Sequence, residues 1–191
     1  VGNLRTNYAD GALALTVAPA LVLMLIWVES RSREALVLAA FLLAAAPLVK
    51  TEGLLFSGAA LIAAAVVGRH RGAALRPLVG VAVAALLPAV AWALLTSARG
   101  TGQSQVRPRL LFDRGFLADN WRRYPDAADR LLSELVHGWR PTLVVAALAL
   151  LLAVIAGRLA PLLFLSLWCG LCLAGLCVVY LTSTVPLDWH L

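Results

Sequence analysis

Charge is what this sequence has least of. Asp, Glu, Lys and Arg together make up 14% of its 191 residues, and Lys50 is the single lysine. A soluble domain of this length covers its core with far more polar surface, so a water-soluble globular fold is excluded. The period-2 alternation of apolar and polar residues that a β-barrel wall needs is also missing. No GxGxxG, Walker loop or HExxH occurs, which removes the usual signs of soluble nucleotide binding and zinc hydrolysis. No internal repeat is evident. Nothing at the N-terminus has the form of a signal peptide, because Arg5, Asn7 and Asp10 interrupt it. Cysteine is sparse: Cys169, Cys172 and Cys177 all lie in one apolar run. The Cys169–Cys172 spacing is that of a metal or redox pair, but a zinc site needs four ligands and no second pair or nearby His follows. The three read as small apolar residues of a membrane helix.

What the sequence does have is apolar length. Hydrophobic residues make up 62%, and the mean hydropathy is +0.88. They come in long uncharged runs, the mark of helices that cross a bilayer when they reach about 18 residues. Lipid offers the backbone no hydrogen bonds, so only helices or closed barrels span it. The expected class is therefore all-α, a polytopic transmembrane helix bundle. It has about six membrane segments, some of them short: 11–28, 35–49, 54–67, 77–95, 142–156 and 159–182. The chain reads as one membrane domain, 1–191, and as a fragment of a longer protein. The net charge of +6 fits positive loops facing the cytoplasm and lipid phosphates better than nucleic acid.

The second and third segments are parted only by Lys50-Thr51-Glu52-Gly53. One continuous helix would bury Lys50 and Glu52 near mid-bilayer, which is costly. Two short helices place both charges at a membrane face. They also put Arg31, Arg33, Arg69, Arg71, Arg76 and Arg158 on one side, as the positive-inside rule asks. The two-helix reading is preferred. Tyr8, Asp10, Lys50, Glu52, the 96–141 loop, Asp188 and His190 then gather on the non-cytoplasmic face. Inside that loop, Pro125 and Asp126 open a helix well and Gly138 can close it. Ala128, Leu131, Leu132, Leu135 and Val136 follow helical spacing. The segment is expected to be an amphipathic helix lying on the outer interface.

Four groups of residues on that face can carry chemistry. Lys50 can meet an anionic headgroup or a leaving phosphate, with Glu52 orienting it or an acceptor hydroxyl. The same tetrapeptide can be a plain interhelical turn. Tyr8 and Asp10 stand at the outer start of the first segment. Asp10 either caps that helix or binds a sugar hydroxyl or a metal. Asp188 and His190 can hold a sugar or phosphate, or be ordinary surface residues, with Trp189 at the aromatic belt. Arg107 and Arg109 either fork onto a lipid phosphate or are solvated loop charges.

Three of these motifs occur in a telling order. Tyr8-Ala9-Asp10 opens a helix, Lys50-Thr51-Glu52-Gly53-Leu54-Leu55 lies between two, and Pro186-Leu187-Asp188-Trp189-His190-Leu191 follows the last. The pattern resembles bacterial membrane glycosyltransferases of the GT-C superfamily, close to the dolichyl-phosphate-mannose–protein mannosyltransferase-like group (family 39). The likeness covers most of the chain, as the later part of the membrane domain, through few residues. It implies an enzyme of the bacterial cytoplasmic (inner) membrane. Such an enzyme moves a sugar from a polyprenyl-phosphate donor to a hydroxyl on an envelope lipid, glycan or protein, at the outer face. It implies a catalytic base in an outer loop upstream of Val1, so the fragment alone is expected to be inactive. Lys50 matches the turn expected to position the phosphate, while Glu52, Asp188 and His190 match motif positions without an assigned role. The expected partners are membrane lipid, the donor and a hydroxyl acceptor, with no nucleic acid. No cofactor is predicted, and a divalent metal has no support. The alternatives are a transporter or flippase of lipid-linked sugars, or a non-catalytic membrane subunit.

Overall fold

The computed structural model describes residues 4–99, 113–121, 125, 128–129, 133 and 140–182, and among these every regular element is a helix. They are α1 (Leu4–Ser30), α2 (Arg33–Val49), α3 (Glu52–His70), α4 (Arg76–Ala98), α5 (Arg114–Trp121), α6 (Arg140–Ile155) and α7 (Leu159–Thr182). Three stretches are long and apolar enough to cross a membrane: Gly11–Ser30, Glu52–His70 and Leu159–Val179. The apolar part of α4, Arg76–Trp92, is shorter. Helix α2 has 17 residues, about 25 Å of rise against a hydrocarbon core about 30 Å thick.

The chain divides into two compact units, Val1–Gly102 with Leu159–Cys172, and Gln103–Arg158 with Leu173–Leu191. In the first, α2 packs against α1, α3 and α4, and α3 also touches α1 and α4. The buried seam is built from small residues. Ala20, Ala39, Ala46, Ala60, Ala63, Ala64 and Ala85 are fully buried, while Leu15, Phe41, Ile62 and Leu87 point outward. Small residues inside let helix backbones approach, and large apolar ones outside face an apolar solvent; this is the pattern of a bundle in lipid. Phe164 of α7 is also fully buried in this core.

The corners explain why the helices stop. After α3, Gly72 takes φ 71°, its amide bonds to Arg69 O at 3.0 Å, and the Ala73 amide reaches Gly68 O at 2.8 Å. That is a Schellman motif, with glycine supplying the left-handed residue. Between α1 and α2 the left-handed residue is Arg31, at φ 62°. Ser32 then caps α2, its hydroxyl accepting from the Ala35 amide at 3.1 Å and donating to Glu34 Oε2 at 2.8 Å.

Several boundaries differ from the sequence expectation. Helix α1 begins at Leu4, so Asp10 lies inside it and does not cap it. Helix α4 runs on to Ala98 and α6 starts at Arg140. The stretch read as the 96–141 loop contains α5, an 8-residue helix. Polar residues outside hydrocarbon still satisfy their main chain best as helix, so hydropathy marks the lipid-facing length and underestimates the helical length. The expected amphipathic helix 125–138 lies mostly outside the described residues; Pro125, Ala128, Asp129 and Ser133 are helical.

Candidate functional site at the α2–α3 turn

The turn owes its shape to Pro47. Proline has no N–H, so Leu43 O loses the donor that residue 47 would bring in an unbroken helix. Ser57 replaces it: its buried hydroxyl donates to Leu43 O at 2.9 Å. Gly53, also buried, lies against the Ala46–Pro47 peptide. A Cβ added there would collide with Ala46 O and stand 2.8 Å from Pro47 N. The Lys50 amide closes α2 on Ala46 O at 3.2 Å, and the Gly53 amide bonds to Lys50 O at 2.9 Å. Two helices therefore meet in a tight turn with Lys50 and Glu52 on its rim.

On that rim Lys50 Nζ stands 3.7 Å from Glu52 Oε1, with the two side chains 36% and 34% exposed. The second carboxylate oxygen, Glu52 Oε2, is buried and has no hydrogen-bond partner among the described residues. An orphaned buried acceptor costs about 1–3 kcal/mol. The arrangement therefore pairs an accessible cation with a carboxylate oxygen that lacks a donor. Chemically it can bind an anionic group at Lys50, with Glu52 Oε1 orienting the ammonium.

Two residues that sequence reasoning missed hold this rim. Ser57 ties α3 to α2. Trp168 of α7 donates its indole N–H to Phe56 O at 3.2 Å, and its ring packs on Phe56 with centroids 6.2 Å apart. A polar group inside an apolar run marks each residue as unusual, but its partner lies too far along the chain for the sequence to name it.

The opposite end of the bundle is basic. Arg31 Nη2 donates to Arg71 O at 2.8 Å, joining the α1–α2 and α3–α4 corners. The Arg31 guanidinium lies 5.8 Å over the Trp27 ring, and Trp27 lies against Gly68. Arg33, Arg69, His70, Arg71 and Arg76 all belong to these two corners. The ordered sequence of antiparallel helices puts the Lys50–Glu52 turn at the other end.

Of the remaining predicted residues, Tyr8 and Asp10 lie in the first two turns of α1. Asp10 is 20 residues before Ser30, about 30 Å of rise, which puts its backbone at a height comparable to that of Lys50. Arg107, Arg109, Asp188 and His190 lie outside the described residues. Among the described residues no group of three or more His, Cys, Asp or Glu converges on one point. No family model, no curated protein and no solved structure matches the chain.

Proposed function

We propose that this chain is the later part of the membrane domain of a glycosyltransferase, with about six membrane segments in the bacterial cytoplasmic membrane. It moves a sugar from a polyprenyl-phosphate donor to a hydroxyl on an envelope lipid, glycan or protein at the outer face. The observation that carries this reading is the Lys50–Glu52 rim. There a partly exposed ammonium stands 3.7 Å from a carboxylate, at the end of the bundle opposite the joined Arg31 and Arg71 corners. The family resemblance of the Lys50-x-Glu52-Gly53 turn points the same way.

In this reading Lys50 meets the donor phosphate, and Glu52 orients the Lys50 ammonium through Oε1 or orients an acceptor hydroxyl. The anomeric C–O bond to phosphate breaks and a C–O bond to the acceptor oxygen forms. The acceptor proton passes to a carboxylate upstream of Val1, and polyprenyl phosphate leaves. Lys50 acts where negative charge develops on the leaving group, the place where a fixed cation lowers a barrier most.

The test uses the intact protein and a polyprenyl-phosphate sugar. Lys50→Ala should lower transfer by roughly 10²-fold, the scale for removing one pre-positioned group from a developing anion. Glu52→Gln should lower it by a smaller factor. Full transfer by both variants at equal expression would remove the assignment. A protein that moves the lipid-linked sugar across the bilayer without transferring it would establish the flippase reading.

A further inference from the structure

At the basic end of the first unit, a crevice of about 950 Å³ opens between the end of α3 and the beginning of α7, with walls that include Val66, Arg69, His70, Leu163, Ser166 and Leu167. Its two ends differ in chemistry. Arg69 and His70 are the last two residues of α3 and are exposed. The Schellman motif after them fixes where they stand, through the Gly72 and Ala73 amides. The inner wall is apolar and open, with Val66 54% and Leu163 53% exposed. Ser166 adds one hydroxyl to the α7 wall.

We infer that this crevice is a binding site for an anionic glycerophospholipid. Its phosphate sits on Arg69 and His70, and one acyl chain lies along Val66, Leu163 and Leu167. Charge complementarity selects the occupant. The Arg69 guanidinium and the His70 ring stand at the end of a membrane-length helix, where headgroup phosphates lie, and the apolar wall continues from them into the span. Basic pockets between membrane helices hold anionic headgroups in this way. A soluble phosphate would use only the mouth, and a zwitterionic lipid would gain less from the Arg69 guanidinium. The volume is within the range of ligand clefts, about 300–1,000 Å³. The groove between α2 and α4, about 520 Å³, has Arg33 as its only charged lining residue and supplies the control. This inference is independent of the transferase reading and concerns the other end of the bundle.

The experiment uses the full-length protein in nanodiscs of equal phosphatidylglycerol and phosphatidylcholine. A phosphatidylglycerol probe carrying a photoreactive acyl chain is cross-linked, and the modified peptides are mapped. Labelling should fall on the segment holding Leu163 to Leu167, and the matching phosphatidylcholine probe should label it much less. Replacing Arg69→Gln and His70→Gln together should cut that labelling roughly fivefold or more. Arg33→Gln should leave it unchanged. Leu167→Trp, which fills the wall and keeps Arg69 and His70, should also cut it, so the proposal remains testable if the double variant fails to fold. Four results would overturn it: equal labelling by both probes, equal loss in Arg33→Gln, full labelling in Leu167→Trp, or displacement of the probe by soluble glycerol phosphate. Absence of labelling at this segment overturns it too.

Discussion

Gly53 and Ser57 make the same point from two directions: the α2–α3 turn is built around missing groups, a Cβ at Gly53 and a main-chain N–H at Pro47. Gly53 lacks a Cβ where the Ala46–Pro47 peptide lies. Gly53→Ala should therefore destabilise the protein by about 1–3 kcal/mol, the usual cost of overpacking, despite the better helix propensity of alanine. A thermal melt of the purified protein in detergent reads it, and an unchanged midpoint would mean that the two helices do not meet so closely. Ser57 stands in for the N–H that Pro47 lacks, so Ser57→Ala should cost about 1–3 kcal/mol, the range for orphaning a buried acceptor. In a Pro47→Ala background residue 47 regains its amide. The same serine change should then cost under about 1 kcal/mol, the difference being the coupling energy of the pair. Lys50 and Glu52 were legible in the sequence because charge between two apolar runs has few places to go. Ser57 and Trp168 were not. The partners of their polar atoms are Leu43, 14 residues away, and Phe56, 112 residues away, and no local pattern encodes either separation.

Among the elements, the α1–α2 corner shows how a polar turn is held at the edge of an apolar bundle. Arg31 accepts a left-handed backbone at φ 62°, a conformation that costs an L-residue about 1–2 kcal/mol. Its guanidinium lies over Trp27 and bonds to Arg71 O. Arg31→Ala keeps the strain and loses these contacts, whereas Arg31→Gly loses the contacts and the strain together. The glycine variant should be the more stable by about 1 kcal/mol, measured by chemical or thermal melting. The next residues give a pH signature. The Glu34 carboxyl is held below the ordinary glutamate range, by its own backbone amide first, then by the Ser32 hydroxyl and nearby Arg33. A lowered folded pKa means that Glu34 contributes stability above its unfolded value, about 4.3. That contribution disappears as the pH falls through the lower folded value. Wild type and Glu34→Gln should therefore differ in melting temperature at neutral pH and converge in acid. A constant difference across that window would remove the cap from the account. Elements were legible in the sequence where lipid enforces them. Apolar length and the break at Lys50 were both readable, because an unsatisfied backbone or a buried charge is costly in hydrocarbon. Helix ends in the polar regions, such as Leu4–Asp10 of α1 and the whole of α5, follow from capping and local propensity and leave no trace in a hydropathy profile.

For the molecule as a whole, the two ends of the bundle differ in charge, and this difference has a consequence for orientation. Arg31 and Arg71 are joined at one end, with Arg33, Arg69 and Arg76 in the same two corners. The Lys50–Glu52 turn lies at the other end and has no net charge. A positively charged end is retained in the cytoplasm during insertion, so residue 51 should face outward and the α3–α4 corner inward. Single cysteines test this after Cys169, Cys172 and Cys177 are replaced by alanine. Thr51→Cys, at an exposed position, should react with a membrane-impermeant maleimide in intact cells. Ala74→Cys, exposed in the basic corner, should react only after permeabilisation. Reaction of position 51 only from the cytoplasmic side would invert the topology and place Lys50 where no outer-face donor can reach it. Failure of position 51 to react from either side would return the turn to the bilayer interior. The lipid crevice at Arg69 and His70 and the sugar-transfer rim at Lys50 and Glu52 require opposite faces, so one pair of labels orients both proposals.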